Sequence, residues 1–361
     1  MSYIIRTLML IVVLCLGNCS WSMQVPSSVQ EFFSKSNKHV VCMERFPNGL
    51  SSWGASYLMK IVDENGKTEA AVFRTSLDRH IDDFKWELYC SKAMGEAGVA
   101  PKVLFEDIDN IFFIIEFIQN ATTISAHRHC SEALAQMGTA LRRIHSFVPT
   151  CNGNDRCKYK YIKILVDQKL REFPICSIFK NVMGNMQKIE SIFEHAGNKC
   201  FCHNDFGHGA NWLWDQNRIW AIDWEMAGIY YPYYDIGGVI QLLLFSDQER
   251  EIYLNAYFDG NMTPKDEALV YIGEQYGLLR YAACSIALIQ NFPTHLCNKD
   301  VDEILEWTAL LTGKMTLTRE EMSTDSGRFK IAVMLTKQAE LNMAEDRYKK
   351  ALALLSVEES L

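Results

Sequence analysis

The segment from Phe201 to Gly228, FCHNDFGHGANWLWDQNRIWAIDWEMAG, gathers His203-x-Asp205, Asn211 and Asp223-Trp224-Glu225 into one short stretch. Phosphoryl transfer from ATP needs a carboxylate that orients the attacking hydroxyl and accepts its proton. It also needs oxygen ligands that hold Mg2+ against the phosphates. Asp205, Asn211 and Asp223 could supply them. Taken alone, His203-x-Asp205 arises often by chance, and either residue could equally cap a helix or fill a polar niche. Asn211 and the acidic run raise the set above that background.

Zinc is the competing metal for the same segment, because Cys200, Cys202, His203 and His208 lie close together. Spacing argues against that set: adjacent Cys202 and His203 would point apart, and no distant pair in the sequence completes a tetrahedron. The chain has no Gly-x-Ser-x-Gly elbow, Walker loop or dinucleotide-binding glycine fingerprint, so the commonest hydrolase and dehydrogenase chemistries drop out.

The elements that must position these residues fall into two textures. From Val40 to Ile118 strands dominate. Tyr57–Val62 and Ala70–Thr75 form a hairpin across the turn Asp63-Glu64-Asn65-Gly66. Asp82–Ala97 has helical spacing with Gly98 suited to its end, and Pro101–Phe105 and Ile111–Ile118 read as two more strands. After Asn120 the pattern becomes helical over Ser131–Ser146, Val166–Phe173 and Val182–His195. It turns to short strands and loops over Phe201–Asp223, then returns to helix over Ile236–Phe245, Glu249–Phe258, Asp266–Gln290 and Val301–Leu311. Thr318-x-x-Glu321 resembles a capping box, and Phe329–Leu355 reads as a further helix packed on the helical part. The expected division is residues 1–22, 23–118, 119–316 and a C-terminal extension, 317–361.

With 361 residues, 48% hydrophobic and 22% charged, the chain can build a substantial core. A net charge of -8 without a long Lys/Arg run argues against nucleic acid as the main partner. At the N-terminus, Arg6 precedes the apolar run Thr7–Gly17 and the small, polar residues Asn18–Ser22, the order of a signal peptide. The run is too short for a membrane anchor, and Ser20-Trp21-Ser22 offers a cleavage site. A lipidation box at Leu16-Gly17-Asn18-Cys19 fits less well, because Asn precedes the Cys. Export follows if this segment is used; a start at Met23 would leave the protein in the cytoplasm. Two of the twelve cysteines fall in that segment. Cys151 and Cys157 could close the loop between them, whereas Cys42, Cys90 and Cys284 sit among apolar neighbours.

Taken together, the His203–Glu225 set resembles the catalytic signature of the choline and ethanolamine kinases and the related aminoglycoside phosphotransferases. The likeness extends over most of Val40–Pro293. Gly49-Leu50-Ser51-Ser52 is similar to that family's phosphate loop. Arg74 stands where an ATP-binding lysine or arginine is expected, with Glu87 as its ion-pair partner, and Glu116 and Ile118 correspond to the hinge that meets adenine. The resemblance implies an α+β, bilobal protein-kinase-like fold, with a small antiparallel N-lobe and a larger, mainly helical C-lobe. It implies ATP and Mg2+ as cofactors, Asp205 as the catalytic carboxylate, and His203 as a brace for its loop. Asn211 and Asp223 become metal ligands, and Glu225, Trp224 and Asp235 lie near the substrate. Asn211 follows Asp205 by six positions, one more than the family pattern.

Dense aromatics, Trp212, Trp214, Trp220, Trp224, Tyr230, Tyr231, Tyr233 and Tyr234, could form a wall for a quaternary ammonium. They could equally be core, the better account for Trp212 and Trp214. Two functions follow. One is a kinase acting on an amino alcohol, choline or ethanolamine first and an aminosugar second. The other is a catalytically silent relative that keeps the fold to bind a ligand.

Overall fold

The computed structural model describes residues 24–50, 54–76, 81–127, 129–150, 159–172, 177–207, 209–291, 301, 303–310 and 313–357. The leader segment 1–22, Ser51, Ser52, His208 and the Cys151–Cys157 loop lie outside these residues. The chain divides into two compact units, one built from residues up to 127 together with 210–227, the other from 128–209 and 228–361. The sequence division at 118/119 left 210–227 with the helical part. These residues group with the first unit because Trp212–Trp214 pairs with both Thr122–Thr123 and Ile219–Ala221, and the Ala221 amide donates to Val99 O at 2.7 Å.

The first unit is framed by a five-stranded antiparallel sheet of order β1-β2-β3-β5-β4, from Lys38–Leu50 (β1), Gly54–Asp63 (β2), Thr68–Ser76 (β3), Val103–Asp107 (β4) and Phe112–Glu116 (β5). The β2–β3 turn forms as the sequence requires: Asp63 Oδ1 accepts from the amides of Asn65 and Lys67, and Gly66 takes φ 78°. Side chains alternate across a strand. Ala71 and Phe73 therefore face a core shared with Val29 and Phe33 of helix α1 (Ser27–Ser34). The opposite register holds Phe113, paired with Arg74 and packed with Phe84 and Leu88 of helix α2 (Ile81–Glu96). The alternation thus aims Arg74 at the α2 side.

The second unit is mainly helical: α3 (Ser131–His145), α4 (Tyr159–Glu172), α5 (Ser177–Ala196), α6 (Pro232–Leu242), α7 (Asp247–Phe258), α8 (Pro264–Ala287), α9 (Arg319–Ser323), α10 (Asp325–Ala344) and α11 (Asp346–Val357). Helix α8 is its axis, packing against α4, α5, α6, α10 and α11. It starts at a full capping box of Thr263 and Asp266, and nearly every apolar side chain along it is buried. Helices α6 and α8 cross so closely that a Cβ on Gly237 would stand 2.2 Å from the Glu274 amide nitrogen, so glycine is required there. A two-stranded ribbon pairs Cys200–Cys202 with Gly228–Tyr230.

Three expectations change in detail. The tail is two helices rather than one, because Glu345 turns extended (ψ 155°) and its carboxylate takes a hydrogen bond from the Tyr271 hydroxyl at 3.1 Å. The helix expected over Val301–Leu311 is broken among the described residues: 304–306 are not helical and a 3-10 turn covers Trp307–Leu310, while residues 302 and 311 lie outside them. Helices α4 and α5 begin earlier than periodicity suggested. The capping box at Thr318 and Glu321 is present as read.

Candidate active site

In the first unit the guanidinium of Arg74 is the hub. Its Nε donates to Glu87 Oε1 at 3.0 Å, Nη2 to Asp223 Oδ1 at 2.9 Å and to Glu225 Oε2 at 3.0 Å, and Nη1 to Ser56 Oγ at 3.2 Å. Three acids from separate parts of the sequence therefore meet one planar cation, an arrangement suited to the fork of arginine. Burial alone would lower the guanidinium pKa; the charges of Glu87, Asp223 and Glu225 more than offset this and hold it above its ordinary value. Glu87 and Glu225 are nearly sealed, at 3% and 8% side-chain exposure, while Asp223 keeps 26% and is the acid a solvent-borne ion can reach.

The backbone explains why the acids converge. Asp223 has φ 66° and ψ 67°, left-handed and uncommon outside glycine, and directly precedes a 3-10 turn, Trp224–Met226. That turn packs on α2, where the Trp86 indole N–H donates to Ala227 O at 2.7 Å and fixes it beside Glu87. Asn211 is buried, and its carbonyl accepts from the Ile222 amide at 3.0 Å, which ties it to the residue before Asp223. Glu116 ends β5, opposite Ala71, with its amide donating to Lys102 O at 2.9 Å; Ile118 follows two residues on, and Gly49 lies in β1.

In the second unit Asp235, buried on the first turn of α6, clamps the loop that carries Asp205. Its two carboxylate oxygens accept from the amides of His203 at 2.7 Å and Asn204 at 2.8 Å. Asn204 takes φ 65°, and its carbonyl accepts from Arg280 Nη2 at 3.1 Å. The fully buried His203 ring stacks on Phe206 with centroids 3.7 Å apart. Asp205 itself accepts from the Tyr281 hydroxyl at 3.2 Å. Burial, followed by the charge of Asp205, pushes the Tyr281 phenol well above its usual pKa, so it stays protonated and remains a donor.

Arg280 and Tyr281 were not singled out from the sequence, although an arginine inside the apolar run Tyr276–Ala283 is a usable signal, since a buried charge must have a purpose. Arg280 also bears on the aromatic wall. Its guanidinium lies 3.8 Å from the Tyr234 ring centroid and 5.7 Å from that of Tyr230, so these faces already hold an internal cation. Trp212, Trp214 and Trp224 are core, and Trp220 carries Arg218 at 4.0 Å.

A five-stranded antiparallel sheet whose third strand presents a basic residue to a helical glutamate, joined to a helical remainder, defines a protein-kinase-like fold. The chain belongs to the phosphotransferase enzyme family, whose model matches residues 52–269. Protein LicA of Haemophilus influenzae is 22% identical over 183 residues, 48% of this chain; the match spans 65% of LicA's own length, just under two thirds. A choline/ethanolamine kinase family protein from Mesorhizobium loti superposes with TM-score 0.59 at 17% identity, over 87% of this chain and 91% of that one. Choline kinase from Cryptosporidium parvum gives 0.61 at 14% identity, over 89% and 93%. Among the described residues no helix is long and apolar enough to cross a membrane.

Proposed function

We propose that this phosphotransferase moves the γ-phosphate of ATP to the hydroxyl of a small amino alcohol, choline or ethanolamine before an aminosugar. The observation that carries the reading is the carboxylate set around Arg74. Oxygens of Glu87, Asp223 and Glu225 all lie within 4.8 Å of one another and share the Arg74 guanidinium, and of the three Asp223, at 26% exposure, is the one that can offer an oxygen to a hard cation. Mg2+ would be held by Asp223, with Asn211 as the second ligand. When bound, it would neutralise the charge developing on the phosphates. The chain's own part is electrostatic and positional. Arg74 keeps the acids from repelling one another, and its pairing with Glu87 holds β3 against α2. Asp205 would orient the acceptor hydroxyl and take its proton, with its carboxylate fixed by Tyr281 and its loop by Asp235 and Arg280. The acceptor is supported by the likeness to the choline and choline/ethanolamine kinase family proteins above. Its ammonium group would have to use a face other than that of Tyr234, which Arg280 covers.

A phosphotransfer screen over choline, ethanolamine, thiamine and aminoglycosides tests this. ATP turnover should require an acceptor, and Asp205→Asn should lower it by about 10²–10⁴-fold with an unchanged melting temperature. Equal activity in the variant overturns the assignment. A silent, ligand-binding relative is the second reading, favoured by the extra residue before Asn211 and by the leader-like segment. Absence of Mg2+-dependent ATP binding in a thermal-shift experiment would select it. Export is the location we propose if residues 1–22 are cleaved, the cytoplasm if translation begins at Met23; N-terminal sequencing of the mature protein decides.

A further inference from the structure

The strand Cys200–Cys202 places its two cysteines two positions apart, so both side chains leave the same face. Their Sγ atoms stand 3.7 Å apart. A disulfide needs about 2.05 Å. Two thiolates on one tetrahedral zinc ion, each bonded at about 2.3 Å, must lie about 3.8 Å from each other. The observed spacing matches the second geometry without rearrangement.

The third ligand comes from far along the chain. His145, in the last turn of α3, brings a ring nitrogen to the pair, so that ligand atoms of His145, Cys200 and Cys202 all lie within 4.8 Å of one another. Its ring is already oriented: Nε2 lies 3.3 Å from Asp235 Oδ2, and Nδ1 lies 2.7 Å from the Tyr257 hydroxyl. With the carboxylate accepting from Nε2–H, Nδ1 carries the lone pair and accepts from the Tyr257 hydroxyl, the tautomer following from these partners, so a metal on Nδ1 would take the place of that hydrogen bond. A carboxylate behind a histidine is the usual outer shell of a metal-binding imidazole. Cys202 is fully buried, the His145 side chain is 5% exposed, and Cys200 is only partly covered.

We propose that Cys200, Cys202 and His145 form a site for a thiophilic, tetrahedral divalent cation, zinc(II), with a water as fourth ligand. Binding replaces two S–H bonds with two Zn–S bonds and releases two protons to solvent. His203 is not part of this site, because its ring turns onto Phe206. The set in the sequence fails because adjacent Cys202 and His203 point apart and a distant ligand is lacking; α3 supplies a distant ligand, His145. Asp235 joins the site to the Asp205 loop, since it holds His145 and the amides of His203 and Asn204 at once.

The test uses the full chain without a histidine tag, reduced and stripped of metal, and titrated with Co2+. One equivalent should produce a sulfur-to-cobalt charge-transfer band together with tetrahedral visible bands, and Zn2+ should abolish them by displacement. Cys200→Ser and Cys202→Ser should each weaken binding by at least about 10-fold, while Cys42→Ser should not. A second measurement needs no variant: Zn2+ should protect Cys200 and Cys202 from alkylation, read peptide by peptide. No charge-transfer band, a band that persists in both variants, or equal alkylation with and without Zn2+ overturns the site. None of these readouts depends on phosphotransfer, so a failure here is distinguishable from a failure of the proposed activity.

Discussion

Replacing Arg74 with methionine keeps most of the side-chain volume and removes the charge, leaving Glu87, Asp223 and Glu225 without the cation they share. Removing one partner of a buried ion pair costs about 3–5 kcal/mol, because the remaining charge stays desolvated. Three acids remain here, but Asp223 at 26% exposure can recover hydration, so the lower half of that range is expected. At roughly 2–4 °C per kcal/mol, the melting temperature should fall by about 6–16 °C. The deficit should shrink in acid, where the stranded carboxylates take up protons and lose the charge that destabilises them. Arg74→Lys should fall between, since one ammonium cannot span the four acceptors that the guanidinium fork reaches. A cycle with Glu87→Gln sharpens the result: the double variant should lose less than the sum of the singles. Calorimetry near neutral pH is the assay. An Arg74→Met protein that melts within about 1 °C of the parent would refute the claim that this cation balances the cluster.

Gly237→Ala should destabilise by about 1–3 kcal/mol or prevent folding, because its Cβ would overlap the Glu274 backbone, and thermal melting with circular dichroism reads this. Thr263→Ala removes the cap of α8 and should cost about 1 kcal/mol in urea unfolding. Asp325 accepts from the amides of Asn291 and Gln290, and these bonds hold its carboxyl pKa below the usual value. Its stabilisation is therefore present above the unfolded pKa near ~4 and lost as pH falls through the lowered value. Asp325→Asn should accordingly be less stable than the parent at neutral pH, with the gap closing in acid.

Local chemistry made much of this protein legible in its sequence. The Asn65-Gly66 turn, the period-2 strands around Ala71–Arg74, helices such as Ile81–Glu96 and Ser131–His145 and the Thr318 capping box all depend on neighbours within a few residues, and these are present. Arg74 with Glu87 was also readable, because a charge inside an apolar strand demands a partner and the family resemblance pointed to Glu87. Contacts between distant segments were not readable. Nothing in the order of residues says that Glu225 and Asp223 would both close on Arg74, that Arg280 would cover the Tyr234 face, or that His145 would meet Cys200 and Cys202. Nor did the length of the tail helix announce its break at Glu345. By itself, then, the sequence determined the elements and the types of group available for chemistry. Only the tertiary structure decided which charges neutralise which, because such pairing depends on separations of about 3 Å between groups far apart along the chain.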